Sequence, residues 1–196
     1  MKKNGLVTIL VVAVLALLAV WMMRGYNRMV TEQENVEQAW GQVETQYQRR
    51  MDLIPNLMAT AKGLADKEQA ILTAVVEARA KATQVTIDPT NITPDQLQAF
   101  EQAQSQVGSA LSRLLVTIEK YPELKMDQGY LNLQAQLEGT ENRIAVARHT
   151  FNECAQTYNT FIRKFPNNIV ASLFGFERKP YFEAQQGADI APKVEF

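Results

Sequence analysis

The sequence predicts an all-α protein: an N-terminal transmembrane helix followed by an antiparallel bundle of three long helices, plus a short C-terminal helix and tail. Three observations carry that prediction. Residues 6–23, opening on Leu6 and closing on Met23, are apolar apart from Thr8. Beyond Gly25, the helix formers Ala, Gln, Leu and Glu dominate the middle of the chain. Apolar residues there recur at alternating steps of three and four, as a helix with one buried face requires. The expected boundaries are a short N-terminal cap over 1–5, a membrane anchor over 6–23 and a soluble domain over 27–196.

As a helix, residues 6–23 would run about 27 Å, close to the roughly 30 Å hydrocarbon core of a bilayer. Trp21 and Tyr26 stand near its end, and Arg24 and Arg28 can reach headgroups. A cleaved signal peptide would share the opening Lys2 and Lys3, but it should end in a small-x-small site. Val20, Trp21, Met22 and Met23 make a poor one. A buried core helix is the remaining alternative. Orientation rests on a margin of one charge. Lys2, Lys3 and the α-amino group face Arg24 and Arg28, which leans towards N-terminus in and domain out. The expected location is therefore a bacterial inner membrane, single-pass, with the domain on the extracytoplasmic side.

About 170 residues follow the span, enough for one domain with a core. The 20 Lys and Arg against 21 Asp and Glu form no block of either sign. That excludes the basic field nucleic acid demands. Cys154 and His149 are each the only residue of their kind, so no intrachain disulfide is possible.

The first soluble helix is expected to begin between Asn27 and Thr31 and to end around Gln84. Its stripe is Val36, Trp40, Val43, Tyr47, Ile54, Leu57, Ala61, Leu64, Ile71 with Leu72, and Val75, with wider steps around Arg50 and Glu68. Pro55 keeps the phase but removes one intrahelical bond, so a kink is expected there. The alternative is two helices meeting at that point, with Asp52 as N-cap. Residues 86–93 read as a loop. Thr93 as N-cap, Pro94 at N1 and Gln96 at the capping-box position then start a helix with the stripe Leu97, Phe100, Ala103, Val107, Leu111, Leu114 and Ile118. Pro122 ends it, with Tyr121 held extended.

The third long helix is expected over 127–165. Leu137, Ile144, Phe151, Tyr158 and Phe165 recur every seven residues, and Ala147, Cys154 and Phe161 fill a second seam, the order of a coiled coil or bundle. Cys154 on that face reads as a core thiol rather than a nucleophile, and His149 as a surface residue. After Pro166, Asn167 can cap a short helix reaching Phe174, which Gly175 can end. The tail is dense in apolar residues: Ile169, Val170, Leu173, Phe174, Phe176, Tyr181, Phe182, Ile190, Val194 and Phe196. It is expected to cover the open side of the three-helix core. The alternative is a docking segment.

Catalytic signals are missing. No HExxH, paired CxxC, clustered metal ligands or glycine-rich phosphate loop occurs. A di-metal carboxylate site between bundle helices would want two Glu-x-x-His elements, and there is one His. No catalytic, metal or cofactor residues are therefore assigned, and an enzyme is not expected. The polar residues of interest are Glu141 and Arg148, seven apart beside the third helix's seam, flanked by Asn142 and Arg143. With Glu68, which breaks the first helix's stripe, they are expected to form an interhelical network in which Glu141 or Arg148 bonds to the first helix. Ordinary solvent-facing charge is the alternative.

The residues also resemble a known family. Glu34-Asn35-Val36 to Trp40, Leu53-Ile54-Pro55-Asn56-Leu57, Asp66-Lys67-Glu68 and Glu77-Ala78-Arg79 match in order along the first helix. Tyr121-Pro122-Glu123-Leu124-Lys125, Thr140-Glu141-Asn142-Arg143-Ile144-Ala145, Ala147-Arg148, Tyr158-Asn159, Ile162 and Phe165-Pro166 continue the series to the aromatic tail. The ordered set resembles the LemA family over nearly the whole chain. That resemblance implies a bacterial single-pass membrane protein carrying an antiparallel helical bundle, with no agreed biochemical activity and no catalytic residues to transfer. Members are linked loosely to membrane proteolysis and envelope stress, and a relative serves in magnetosome membranes. Two functional expectations follow. One is a membrane-anchored scaffold or adaptor for another envelope protein. The other is a self-associating, membrane-organising homo-oligomer. In both, the lipid bilayer is a partner through the N-terminal helix.

Overall fold

The structure, a computed structural model, describes residues 2–183. Its elements are α1 (Lys2–Thr60), α2 (Ala65–Gln84), α3 (Pro94–Ile118), α4 (Pro122–Lys125), α5 (Gln128–Arg163) and α6 (Asn167–Phe174), with 3-10 turns at Ala61–Leu64 and Pro89–Asn91. The expected tail residues Ile190, Val194 and Phe196 lie outside the described residues.

Anchor and domain share one helix. The 59 residues of α1 cross the expected 23/27 boundary without a break, and at 1.5 Å per residue they span about 90 Å. Its first part presents Leu6, Ile9, Leu10, Leu17 and Met23 to the surroundings, as a helix facing hydrocarbon should. Burial begins at the far edge of that part, where Trp21 and Met22 pack partly against the protein core.

Pro55 does not end the first helix, and α1 runs on through it to Thr60. The carbonyl that Pro55 leaves without its helical donor belongs to Met51. Arg79 of α2 supplies the substitute, its Nε donating to Met51 O at 3.2 Å. This corrects the expectation of one kinked helix to Gln84. The chain instead reverses at Ala61–Leu64, and α2 returns beside the lower part of α1. Glu68, with φ −127 and ψ 31, absorbs the last of the turn. Ala61 and Leu64 are buried at the reversal with Leu57, Leu72 and Val75. The stripe keeps its phase across the turn, because both arms bury into one core.

The α3 start has the expected cap. Thr93 Oγ1 accepts from Gln96 N at 3.3 Å and Gln96 Oε1 from Thr93 N at 3.1 Å. The α5 start is capped by Asp127, which accepts from Tyr130 N at 2.9 Å. Leu137, Ile144, Phe151 and Tyr158 are buried at their seven-residue spacing. Phe165 is not, since α5 ends at Arg163 and Phe165 lies beyond it. Of the expected second seam Ala147 is buried but Cys154 and Phe161 are only half-buried, and Ala155 and Ile162, one position further on, are buried in their place. Asn167 is the first residue of α6 rather than its cap, and its Nδ2 donates back to Phe161 O at 3.3 Å. Gly175 ends α6 at φ 74, a left-handed conformation suited to glycine.

α5 packs along α1, and α3 along α2. Two core clusters result. The lower one joins α1 from Met51 onwards with α2, the lower part of α3, Tyr130 and Leu137. The upper one, nearer the anchor, joins Met29, Val36, Trp40 and Tyr47 of α1 with Leu97, Phe100, the upper part of α5 and the tail. Trp40 centres it. Phe100 and Phe151 meet its ring edge-on at 5.3 and 5.7 Å, and Phe182 stacks on it at 6.0 Å.

Candidate functional site: the cleft between α3 and α5

α3 follows α2, and α5 follows α1, so a cleft of about 1170 Å³ lies between α3 and α5. Tyr47 and Arg50 of α1 form part of its floor. One wall is α3, where Gln98, Gln102, Ser105, Gly108, Ser109 and Ser112 stand with the charged Glu101 and Arg113 and the apolar Leu111 and Leu115. Leu137, Glu138, Glu141, Ile144 and Arg148 of α5 form the other. Steps of three and four place the α3 residues on one helical face.

Arg50 holds a stripe position that elsewhere carries hydrocarbon, and its side chain is buried. Its Nη1 donates to Glu141 Oε1 at 2.8 Å. Its Nη2 donates to Gln104 O at 3.0 Å and Gln104 Oε1 at 2.6 Å. The guanidinium also lies 5.1 Å from the centre of the Tyr47 ring. Burial raises the Tyr47 hydroxyl above its ordinary pKa, against the opposing pull of Arg148 and Arg50.

A second ion pair bridges the cleft nearer the membrane. Arg148 Nη2 donates to Glu101 Oε1 at 2.6 Å and to Glu183 O at 2.9 Å. Its guanidinium stands 4.7 Å from the centre of the Phe182 ring. Burial holds the Glu101 carboxyl above its ordinary value, outweighing Arg148, with Glu183 pushing the same way as burial.

Glu141 and Arg148 thus both stand in the cleft. Glu141 reaches α1 through Arg50, and Arg148 reaches α3 and the tail. The expected partners Glu68 and Asn142 are elsewhere. Glu68 accepts from Tyr121 OH at 3.1 Å, tying the α2 turn to the segment before α4. Asn142 lines a separate groove between α1 and α5 with Gln38, Gly41, Gln42 and Arg143. His149 is exposed beside Glu153. Burial raises the Cys154 thiol, with Glu153 and Glu32 adding to it, so little thiolate is present at neutral pH.

Arg50, visible in sequence only as a wide step in the first helix's stripe, and Gln104 were not expected in the network. The signal was available: each is a polar residue at a stripe position, and a polar side chain there needs a partner. Asn152 and Asn159 were missed too. Both grip the tail backbone from α5. Asn159 Nδ2 donates to Lys179 O at 2.8 Å while its Oδ1 accepts from Lys179 N at 2.9 Å. Asn152 repeats the pairing with Phe182, at 2.9 Å each way.

Fold and site together define a class: a single-pass membrane protein whose anchor helix continues into a water-facing helical bundle with a polar interhelical cleft. Among the described residues, no group of three or more His, Cys, Asp or Glu is placed to hold a metal ion. The chain belongs to the LemA family, whose model matches residues 39–196. It is 30% identical to magnetosome protein MamQ 2 of Paramagnetospirillum magneticum, over 97% of this chain and 77% of that protein. It is 28% identical to magnetosome protein MamQ of Magnetospirillum gryphiswaldense, over 96% and 76%. Protein LemA of Metamycoplasma hominis is 24% identical, over 82% and 69%.

Proposed function

We propose that this protein is a structural, non-catalytic membrane component: a scaffold that holds a segment of another envelope protein in the cleft between α3 and α5. The observation that carries the reading is the cleft itself. Its volume of about 1170 Å³ exceeds the roughly 300–1,000 Å³ usual for small-molecule pockets, and its walls mix apolar with many polar side chains. Ser, Gly and Gln on the α3 wall leave room for a partner backbone and offer hydrogen bonds to it. A photo-crosslinking residue at Ser109 in the full-length protein, activated in cells, tests this. The expected product is an adduct with a different envelope protein, and that product should be lost when the crosslinker stands instead at the exposed Val76. No adduct from Ser109 would overturn the reading.

The second reading is a self-associating protein that organises membrane. It draws on the similarity to proteins named for the magnetosome. An adduct from Ser109 at the mass of two chains would favour it. For location, we place the domain on the extracytoplasmic side of the inner membrane, on the positive-inside argument. Protease added outside spheroplasts should degrade the domain and leave it intact if the orientation is reversed.

A further inference from the structure

We propose that α6 is a second membrane contact, lying in the headgroup–acyl boundary of the leaflet from which α1 emerges. It joins an unburied apolar face to a position at the end of the anchor. Phe165 is 81% exposed, Ile169 57%, Leu173 67% and Phe174 50%. Four large apolar side chains within ten residues of chain are an unusual thing to leave in water.

The position of that face names its occupant. Ideal side-chain positions at Gly25 would lie 3.9 Å from Asn167 Oδ1 and 4.0 Å from Val170 Cγ2, so α6 crosses α1 at Gly25. The Tyr26 ring meets Phe174 at 4.9 Å and Phe176 at 5.5 Å. Gly25 follows Met23, the end of the apolar run, by about 3 Å of helix rise. Amphipathic helices at a bilayer surface bury their apolar face about 5–10 Å into the boundary, and α6 is at the depth to do so.

The two sides of α6 fit the same arrangement. Val170 and Ala171 are buried against the bundle, which fixes the helix's rotation. Ile169 and Leu173 then project on one flank and Asn168 and Ser172 on the other, following the 100° step of the helix. Exposed Arg24, Arg163 and Lys164 stand near the same end of the bundle, where they can reach phosphates. The apolar surface of the anchor thus continues onto α6, and two contacts rather than one set the angle of the bundle to the membrane.

The test uses the full-length protein with Cys154→Ser, reconstituted in phosphatidylethanolamine–phosphatidylglycerol vesicles. A polarity-sensitive fluorophore is attached to Ile169→Cys, to Leu173→Cys, or to Val116→Cys as an exposed control at the end of α3 away from the anchor. The two α6 labels should emit at shorter wavelength, lose most of their emission to lipids brominated near the headgroup, and resist aqueous iodide. The Val116 label should show the reverse. Iodide quenching of the α6 labels without bromolipid quenching would overturn the proposal. So would protection from both quenchers, either dependent on protein-to-lipid ratio, which assigns the face to a second copy, or abolished by ending the chain at residue 183, which assigns it to residues 184–196. The outcome is independent of what occupies the α3–α5 cleft.

Discussion

Arg148 shows how one side chain can serve several elements at once, because its guanidinium touches Glu101 of α3, the Glu183 carbonyl and the Phe182 ring. Replacing it by alanine should lower stability by about 1–2 kcal/mol at neutral pH, a modest figure because both partners keep some water contact. The pH dependence separates the causes. A carboxyl held above its unfolded value favours folding when protonated, and that contribution fades as pH rises through the folded value. Losing Arg148 pushes Glu101 higher still, so ionised Glu101 costs more in the variant. The gap between parent and Arg148→Ala should be widest at neutral pH and shrink as pH falls through the raised Glu101 range. Chemical denaturation of the detergent-solubilised chain at neutral and acid pH measures it. A gap that does not change with pH would assign the loss to packing on Phe182 rather than to charge. Glu141 and Arg148 were legible as residues needing partners, from their place beside the α5 seam. Which residue each would meet was not, because Arg50 is set there by the packing of α5 along α1, and Gln104 and Glu101 by α3, which packs along α2 after the α1–α2 reversal.

At the scale of elements, Pro55 and Arg79 form a testable pair. Pro55 withholds the donor that Met51 O expects, and Arg79 replaces it at 3.2 Å. Arg79→Met should cost about 1–2 kcal/mol by leaving that carbonyl unpaired. In a Pro55→Ala background the helix supplies its own N–H, so the same change should cost clearly less. Equal costs in the two backgrounds would refute the coupling. The tail offers a larger effect. Asn159 is buried and makes both backbone bonds to Lys179, and its Nδ2 also donates to Tyr181 OH at 2.9 Å. Asn159→Ala should cost about 2–4 kcal/mol, and Phe182→Ala about 3–5 kcal/mol. The double variant should cost less than the sum, since either change releases the same segment. Amide exchange at residues 179–182 should accelerate in both single variants, and unchanged exchange would show that the tail is held by something else. The sequence reading expected this tail to close the core, and its aromatic density was the reason. The clamp escaped notice because Asn152 and Asn159 look like surface polar residues until the backbone they bind is in place.

For the whole molecule, the consequence of a continuous α1 is mechanical. Residues 25–40 span about 24 Å at the helical rise, and α5, α6, the tail and the α2–α3 loop with Ile87 and Ile92 cover this stretch, α3 joining at Leu97 and Phe100. Trp40 and its aromatic neighbours therefore sit well clear of the bilayer, and tilting of the anchor is carried directly into the bundle. The full-length chain should remain in the membrane fraction after high-salt and alkaline washing, since about 18 apolar residues satisfy the hydrocarbon core. Release by either wash would defeat the anchor assignment, as would a mature N-terminus near Gly25.

Local chemistry by itself determined the helical class, the anchor, the Thr93 and Asp127 starts, the end of the third long helix shortly before Pro166 and the buried heptad Leu137, Ile144, Phe151 and Tyr158. Each depends on neighbours within a turn or two, where period, caps and prolines act. Continuation through Pro55 was expected from the unbroken phase, and only the tertiary structure decided that the chain reverses after Thr60. The apolar phase is the same on both arms, and the missing hydrogen bond at Met51 is repaired by a residue 28 positions away. The same holds for the polar cleft. Arg50 meets Glu141 across 91 positions and Gln104 across 54, and desolvation makes such partners necessary without specifying which they will be. The exposed face of α6 belongs with these. Its residues read as core in sequence, and the fold sets them at the level where the anchor leaves the bilayer.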